Sequence, residues 1–196
     1  MAAITMSAEE HKARKARSQK LLLWFAMGSM TMMFAGITSA FVVSKSREDW
    51  MKEFQMPSAF YLSTLAIILC SITFHLDKKA IQKDDRKATG GFLLLTLGLG
   101  ITFVFLQFKG FGQLVDQGHY FTGPESNIAT TFIYVIAVVH LAHLAGGIIS
   151  LLIIIYNHFK QKYNSSQTLG IELGAMYWHF LDFLWICLFF FLYFFK

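Results

Sequence analysis

The chain has 196 residues, of which 55% are hydrophobic, 16% aromatic and 15% charged. Soluble globular domains carry roughly 25% charged residues, so this chain has too few charges to cover a water-facing surface. This composition excludes a soluble enzyme, a disordered tail and a disulfide-rich secreted domain. The two cysteines, Cys70 and Cys187, lie inside apolar runs. We therefore predict that they are small buried hydrophobic residues.

Five apolar runs of about 20 residues, the length that crosses a bilayer, follow one another along the chain. Backbone groups in hydrocarbon must be hydrogen-bonded internally, so runs of this length are predicted to be helices. In chain order the predicted spans are residues 21–43, 56–74, 90–108, 128–155 and 171–195. The first run is too long for the apolar region of a signal peptide and lacks a clear cleavage site. The predicted fold class is therefore all-α, a polytopic membrane protein with a bundle of five transmembrane helices.

The basic residues predict the orientation, because cytoplasmic loops are rich in Lys and Arg. Twelve of the 17 Lys and Arg residues lie in the N-terminal tail and in the loops after the second and fourth spans. The other five, which include Lys52 and Lys196, fall on the opposite side. We predict a cytoplasmic basic tail over residues 1–20 and one membrane domain over residues 21–196. The basic tail is interpreted as a topology signal, with no nucleic-acid partner.

Two of the spans carry ionisable side chains at membrane depth, where they mark functional sites by default. His140 and His143 lie three residues apart on one face of the fourth span. In the fifth span, Asp182 follows His179 by three residues, and Glu172 precedes His179 by seven. At 1.5 Å per residue, Asp182 is roughly 15 Å and His143 roughly 18 Å from the cytoplasmic boundary. Because an unpaired buried carboxylate is costly, we predict that Asp182 hydrogen-bonds to His143 or His140.

These polar residues leave four interpretations open. Two histidines from different helices could hold a b-type haem, although a pair three apart on one helix cannot ligate it from opposite faces. A di-metal site would need several histidine-rich clusters at the cytoplasmic ends of helices, and here there is one His-x-x-His. The acids and histidines could instead form a proton relay. They could also simply pair, and so hold two helices together or bind a lipid headgroup.

The stretch "GAMYWHFLDFLW", residues 174–185, resembles the signature of subunit III of the haem-copper oxidases, as in cytochrome c oxidase. The likeness extends over nearly the whole chain, with "VVHLAHLAGG", "FLQF" and a first span containing a Trp in the same order. The number of spans is similar to that of the five-helix bacterial form. The motif residues that match are Tyr177, Trp178, His179, Phe180, Asp182 and Trp185.

Three positions depart from the family pattern. Met30 stands where the family usually has an intramembrane glutamate, so a role tied to that carboxylate is in doubt. Gly110 falls where an acidic residue often follows the Leu-Gln pair, and Met176 replaces a Trp. None of the three interrupts the pattern of a helix.

The resemblance implies an accessory subunit of an oxidoreductase complex, without a catalytic centre, haem or copper of its own. The family's redox centres belong to subunits I and II. Subunit III packs beside subunit I, binds phospholipid, and supports proton uptake and durable turnover. The expected partners are therefore subunits I and II, membrane phospholipids and, as a further assembly, a larger respiratory supercomplex. The expected location is the bacterial inner (plasma) membrane. The competing hypothesis is a free-standing membrane redox protein with its own b haem.

Overall fold

The structure, a computed structural model, describes residues 8–47, 50, 55–83, 85–123, 126–163 and 168–195. Five helices cover most of these residues, and none of the described residues forms a strand. The helices are α1 (Ala8–Ser44), α2 (Ser58–Gln82), α3 (Arg86–Asp116), α4 (Ile128–Phe159) and α5 (Leu169–Phe195). All five are long and apolar enough to cross a membrane, which confirms the predicted all-α fold with five spans.

Local signals explain where several helices begin. α2 starts after Pro57, whose missing N–H is not needed at a helix start. The Asp85 side chain accepts a hydrogen bond from the Ala88 N–H at 3.0 Å and so caps α3. Asn127 caps α4 in the same way through the Ala129 N–H at 2.8 Å. The first turn of α1 contains Glu9 and Glu10, where negative charge favours a helix start, and the basic segment before the apolar run is helical.

The helices α2, α3, α4 and α5 form a closed ring, in which each contacts the next and α5 contacts α2. Polar pairs connect α2 to α3 at three depths. The Gln107 side-chain amide donates to Ser63 at 2.9 Å, and the hydroxyls of Thr73 and Thr96 hydrogen-bond at 2.9 Å. Gln113 reaches Ser58 at 3.0 Å near the end of α3. Such hydrogen bonds between membrane helices fix the register of the pair.

The helix α1 lies outside this ring and, among the described helices, contacts only α4 and α5. Its inward-facing side chains alternate at spacings of four and three residues, which gives one narrow stripe along the helix. This stripe consists of Leu23, Met27, Met30, Phe34, Ile37 and Phe41. The remaining surface of α1 is mostly exposed, and a side chain at Gly28 or Gly36 would meet open space.

The two cysteines have different surroundings. Both are free thiols. Cys70 is buried between helices, where its thiol donates to the Thr96 carbonyl at 3.5 Å. Cys187 is exposed on the outer face of α5, so the prediction that it is buried is wrong. An apolar run that crosses a membrane presents part of its surface to lipid, and the sequence alone did not give the rotation of α5 about its axis.

Candidate functional site

The N-terminal end of α5 is held to α1 by an ion pair. The Lys20 ammonium lies 2.9 Å from the Glu172 carboxylate, which also accepts a hydrogen bond from Thr168 at 2.8 Å. Lys20 and Glu172 are 152 residues apart in the chain, so this contact connects the first helix to the last. Glu172 therefore has a structural partner that the sequence did not predict.

His179 faces α2, where its Nδ1 lies 2.6 Å from the Ser71 hydroxyl oxygen. The ring of His75, also on α2, has its centroid 6.4 Å from that of His179. His75 is exposed on the outside of the bundle, whereas His179 and Ser71 are half-buried. These contacts form a polar connection between α2 and α5 at membrane depth.

Asp182 lies one turn further along α5 and is 2% exposed. Neither of its carboxylate oxygens has a hydrogen-bond partner among the described residues. Its nearest polar groups are on α2, since Ser71 and Cys70 are close enough to interact with it electrostatically. The predicted hydrogen bond from Asp182 to His143 or His140 is therefore wrong.

The two histidines of α4 have other neighbours. The ring of His140 is fully buried among aromatic rings, with centroids of Trp185 at 5.1 Å, Phe103 at 5.9 Å and Phe34 at 6.4 Å. Both of its nitrogens lack a hydrogen-bond partner among the described residues. His143 hydrogen-bonds through Nδ1 to the carbonyl of Val139, one turn earlier, at 2.7 Å. Similar depth in the membrane does not bring Asp182 against His140, because the side chain of α5 that lies against His140 is the aromatic Trp185.

The residues of the fifth span therefore belong to a set that we call the α2–α5 polar row. The row consists of Ser71 and His75 on α2, and His179 and Asp182 on α5. His140 and His143 form a separate pair against α1 and the core aromatic rings. Ser71 and His75 were not predicted from the sequence. Ser71 is an ordinary serine within an apolar run, and His75 follows the last residue of the predicted second span.

A second buried carboxylate, Asp77, was also missed. It is 0% exposed, and its two oxygens have no hydrogen-bond partner in the part of the chain that the structure describes. The helix α2 continues to Gln82, eight residues beyond the predicted span. Asp77 therefore lies within the helix and on its packed side. The apolar run could not show this, because it stops before the charged residues Asp77, Lys78 and Lys79.

The described residues contain no group of three or more His, Cys, Asp and Glu side chains placed to hold a metal ion. The rings packed around His140 at 5.1–6.4 Å occupy the space that a porphyrin on that histidine would need. The geometry therefore favours packing over ligation at His140.

The motif at residues 177–185 has a packing role that the structure makes visible. The Trp178 side chain is fully buried and lies against Phe74 of α2 at a centroid distance of 6.3 Å. Glycines on two further helices leave room for the Trp178 ring. A Cβ at Gly100 would lie 3.0 Å from that ring, and a Cβ at Gly147 would lie 3.6 Å from it. Trp178 therefore joins four helices at one point. Tyr177 donates to the carbonyl of His143 at 3.0 Å.

Comparison with known proteins agrees with these features. The family model for cytochrome c oxidase subunit III matches residues 10–196. The chain is 25% identical over 185 residues to cytochrome c oxidase subunit 3 of Bacillus sp. (strain PS3), covering 92% of this chain and 87% of that protein. It is 28% identical over 169 residues to cytochrome c oxidase subunit 3 of Thermostichus vulcanus, covering 84% and 81%.

A relative named for a different electron donor is equally similar. Cytochrome bo(3) ubiquinol oxidase subunit 3 of Buchnera aphidicola subsp. Schizaphis graminum is 28% identical over 182 residues, covering 90% of this chain and 94% of that protein. The family model spans nearly the whole chain, and the buried Trp178 and Asp182 are part of the sequence motif that first suggested it. The chain belongs to the cytochrome c oxidase subunit III family.

Proposed function

We propose that this chain is the non-redox subunit III of a proton-pumping terminal oxidase that reduces O₂ to water in a bacterial plasma membrane. Its partners are subunits I and II, which carry the haem and copper. The observation that carries the proposal is the family match over residues 10–196. The relatives named above belong to both cytochrome c and ubiquinol oxidases, so the electron donor is a property of the partner subunits.

A cleft between α1 and the α4–α5 pair supports a phospholipid-binding role. Its apolar part, about 350 Å³, is lined by Leu23, Ile153, Ile154 and Leu173. It adjoins a polar opening of about 650 Å³. Acyl chains fit the first part and a phospholipid headgroup the second, because lipid phosphates attract basic side chains at the interface.

The polar opening of this cleft carries suitable donors. Lys12 and Lys162 line it, together with Tyr163, which also borders the apolar part, and with the acidic residues Glu9 and Glu172. Burial raises the pKa of the Tyr163 hydroxyl, so the group remains a neutral hydrogen-bond donor at physiological pH. A lipid bound here would contact three helices at once and stabilise the docking of α1.

Support of proton uptake is the remaining part of the proposal. Met30 is half-buried in the stripe of α1, where the family usually has a glutamate. Proton uptake supported by this chain therefore cannot depend on a carboxylate at that position. It would come from surface groups near the cytoplasmic mouth, or from holding subunit I and its lipids in place.

We also propose that the N-terminus and the loops at Lys83 and Lys160 are cytoplasmic, as the distribution of basic residues indicates. Lys52 and Lys196, counted on the other side, lie outside the described residues. A Lys162→Cys variant in a Cys187→Ser background is expected to react with a membrane-impermeant maleimide only after the cells are opened. Labelling from the outside of intact cells would contradict this orientation.

Deletion of the chain tests the proposed function directly. Oxidase purified from cells that lack it is expected to keep its haem content and its initial rate of O₂ reduction. Proton uptake should slow, or the enzyme should inactivate during turnover. Loss of haem in proportion to loss of this chain, with subunit I still folded, would contradict the accessory role. A Soret band from the isolated chain would do so as well.

A further inference from the structure

The two histidines of the α2–α5 polar row reach the outside of the bundle, next to the end of the predicted second span. His75 is seven residues before the end of α2, which places it roughly 10 Å inside that end. His179 is ten residues into α5, roughly 15 Å from its start. His75 is exposed and His179 half-buried, so both reach the surface of the bundle.

The hydrogen-bonding capacity of this surface is only partly used inside the chain. His179 is paired with Ser71. No described side chain forms a hydrogen bond with His75, whose contact is to the His179 ring. Asp182, buried beneath them, has no hydrogen-bond partner among the described residues. Polar side chains at membrane depth are costly when they face lipid, and they normally face protein or a water-filled cavity.

The positive charge of the surface is that of Lys78, which is half-buried on α2 next to the two histidines. The nearby acid on α5, Glu172, is already held by Lys20 and Thr168. Asp182 is enclosed beneath the surface and cannot reach a molecule outside. The exposed part of the row therefore offers donors and positive charge without an accessible carboxylate.

We propose that the α2–α5 polar row is the docking surface for a transmembrane helix of a partner subunit that carries an acidic side chain at the depth of His75. The proposal rests on the chain being an oxidase subunit. Exposed apolar side chains continue the surface toward the opposite side of the membrane, among them Ile72 at 52% and Phe183 at 66% exposure. A helix can pack against them while its carboxylate pairs with the histidines. Phospholipid is the competing occupant, because His75 directly follows the predicted second span, and the crosslinking experiment below distinguishes it from a partner helix.

Variants of His75 test the charge of the partner. The His75→Leu variant removes the donor but suits a lipid-facing position. It is expected to lower the fraction of chain that co-purifies with the partner subunits about tenfold or more, the effect of losing a hydrogen bond to a charged group. The His75→Lys variant supplies a donor and a positive charge and should co-purify within about twofold of the unmodified chain. Thr102→Leu is the matched control, since Thr102 is exposed on α3 and its hydroxyl is already bonded to Gly98 of its own helix.

Photo-crosslinking of the assembled oxidase provides a readout that does not depend on the stability of a variant. A benzoylphenylalanine at position 75 is expected to join a membrane helix of another subunit within one turn of an Asp or Glu. Adducts with phospholipid alone, or co-purification of His75→Leu equal to that of Thr102→Leu, would overturn the docking surface. Failure of the unmodified chain to co-purify with any oxidase subunit would overturn the proposed function itself.

Discussion

Replacing Gly110 by valine is expected to destabilise the bundle by about 3 kcal/mol, near the upper end for overpacking of a well-packed core. Gly110 lies on α3 directly against the ring of Phe60 on α2, and a Cβ there would overlap that ring. Phe60 cannot move aside, because it is 1% exposed and enclosed by Phe111 at 6.3 Å and Trp185 at 6.2 Å between ring centroids. The valine must therefore separate α2 from α3.

The matched control is Gly112→Val, two residues further along the same helix. A Cβ at Gly112 meets no atom within 4 Å, so this variant should unfold at nearly the same denaturant concentration as the unmodified chain. The stability of both variants is measured by thermal or SDS unfolding in detergent, monitored by circular dichroism. Equal loss of stability in the two variants would show that overlap with Phe60 is not the cause. The overlap also explains why this chain has glycine where the family often has an acidic residue.

Truncation of Trp178 to alanine is the second large effect that we expect. In a membrane the transfer of an apolar side chain between protein and lipid contributes little, so the loss comes from packing. A residual cavity on the order of 130 Å³, at about 24 cal/mol per Å³, gives a loss of about 3 kcal/mol. The cavity would lie where four helices meet, and Gly100 and Gly147 have no side chains to fill it.

Two further variants separate packing from hydrogen bonding at this position. The Trp178 N–H has no hydrogen-bond partner among the described residues, so Trp178→Phe removes no bond and should cost less than about 1.5 kcal/mol. Trp24→Ala is the control for loss of an indole elsewhere, since Trp24 is 61% exposed on α1. At position 178 we expect the Phe variant to have a larger free energy of unfolding than the Ala variant. A Phe variant as unstable as the Ala variant would point to a role of the indole N–H instead.

The number and type of the helices could be predicted from the sequence because each apolar run is long and leaves no other way to satisfy its backbone in hydrocarbon. Rotation about each helix axis could not be predicted in the same way. Asp182 and His140 lie on neighbouring antiparallel helices at similar depth. Aromatic rings surround His140, whereas Asp182 borders α2. Packing of large side chains such as Trp185 decides which faces meet, and hydropathy carries no information about it.

The helix ends show a related limit. The apolar run of the second span stops at Phe74, and the residues that follow include the exposed His75 and the buried Asp77. A charged residue ends an apolar run in the sequence but does not end a helix, whose backbone bonds continue to Gln82. His75 and Asp77 therefore lie just beyond the end of the second span that the sequence predicts.

The position of α1 outside the ring has a consequence for biogenesis. This helix is synthesised before the other four, but the described residues that it contacts on other helices belong to α4 and α5, the last two of the five. It must therefore remain in the bilayer without its final neighbours until α4 and α5 have been made. The helix that is inserted before these two can dock only after them. Until then its stripe of Met27, Phe34 and Phe41 is open to membrane chaperones, proteases or an early partner subunit. The ion pair of Lys20 with Glu172 can form only when α1 docks against α5.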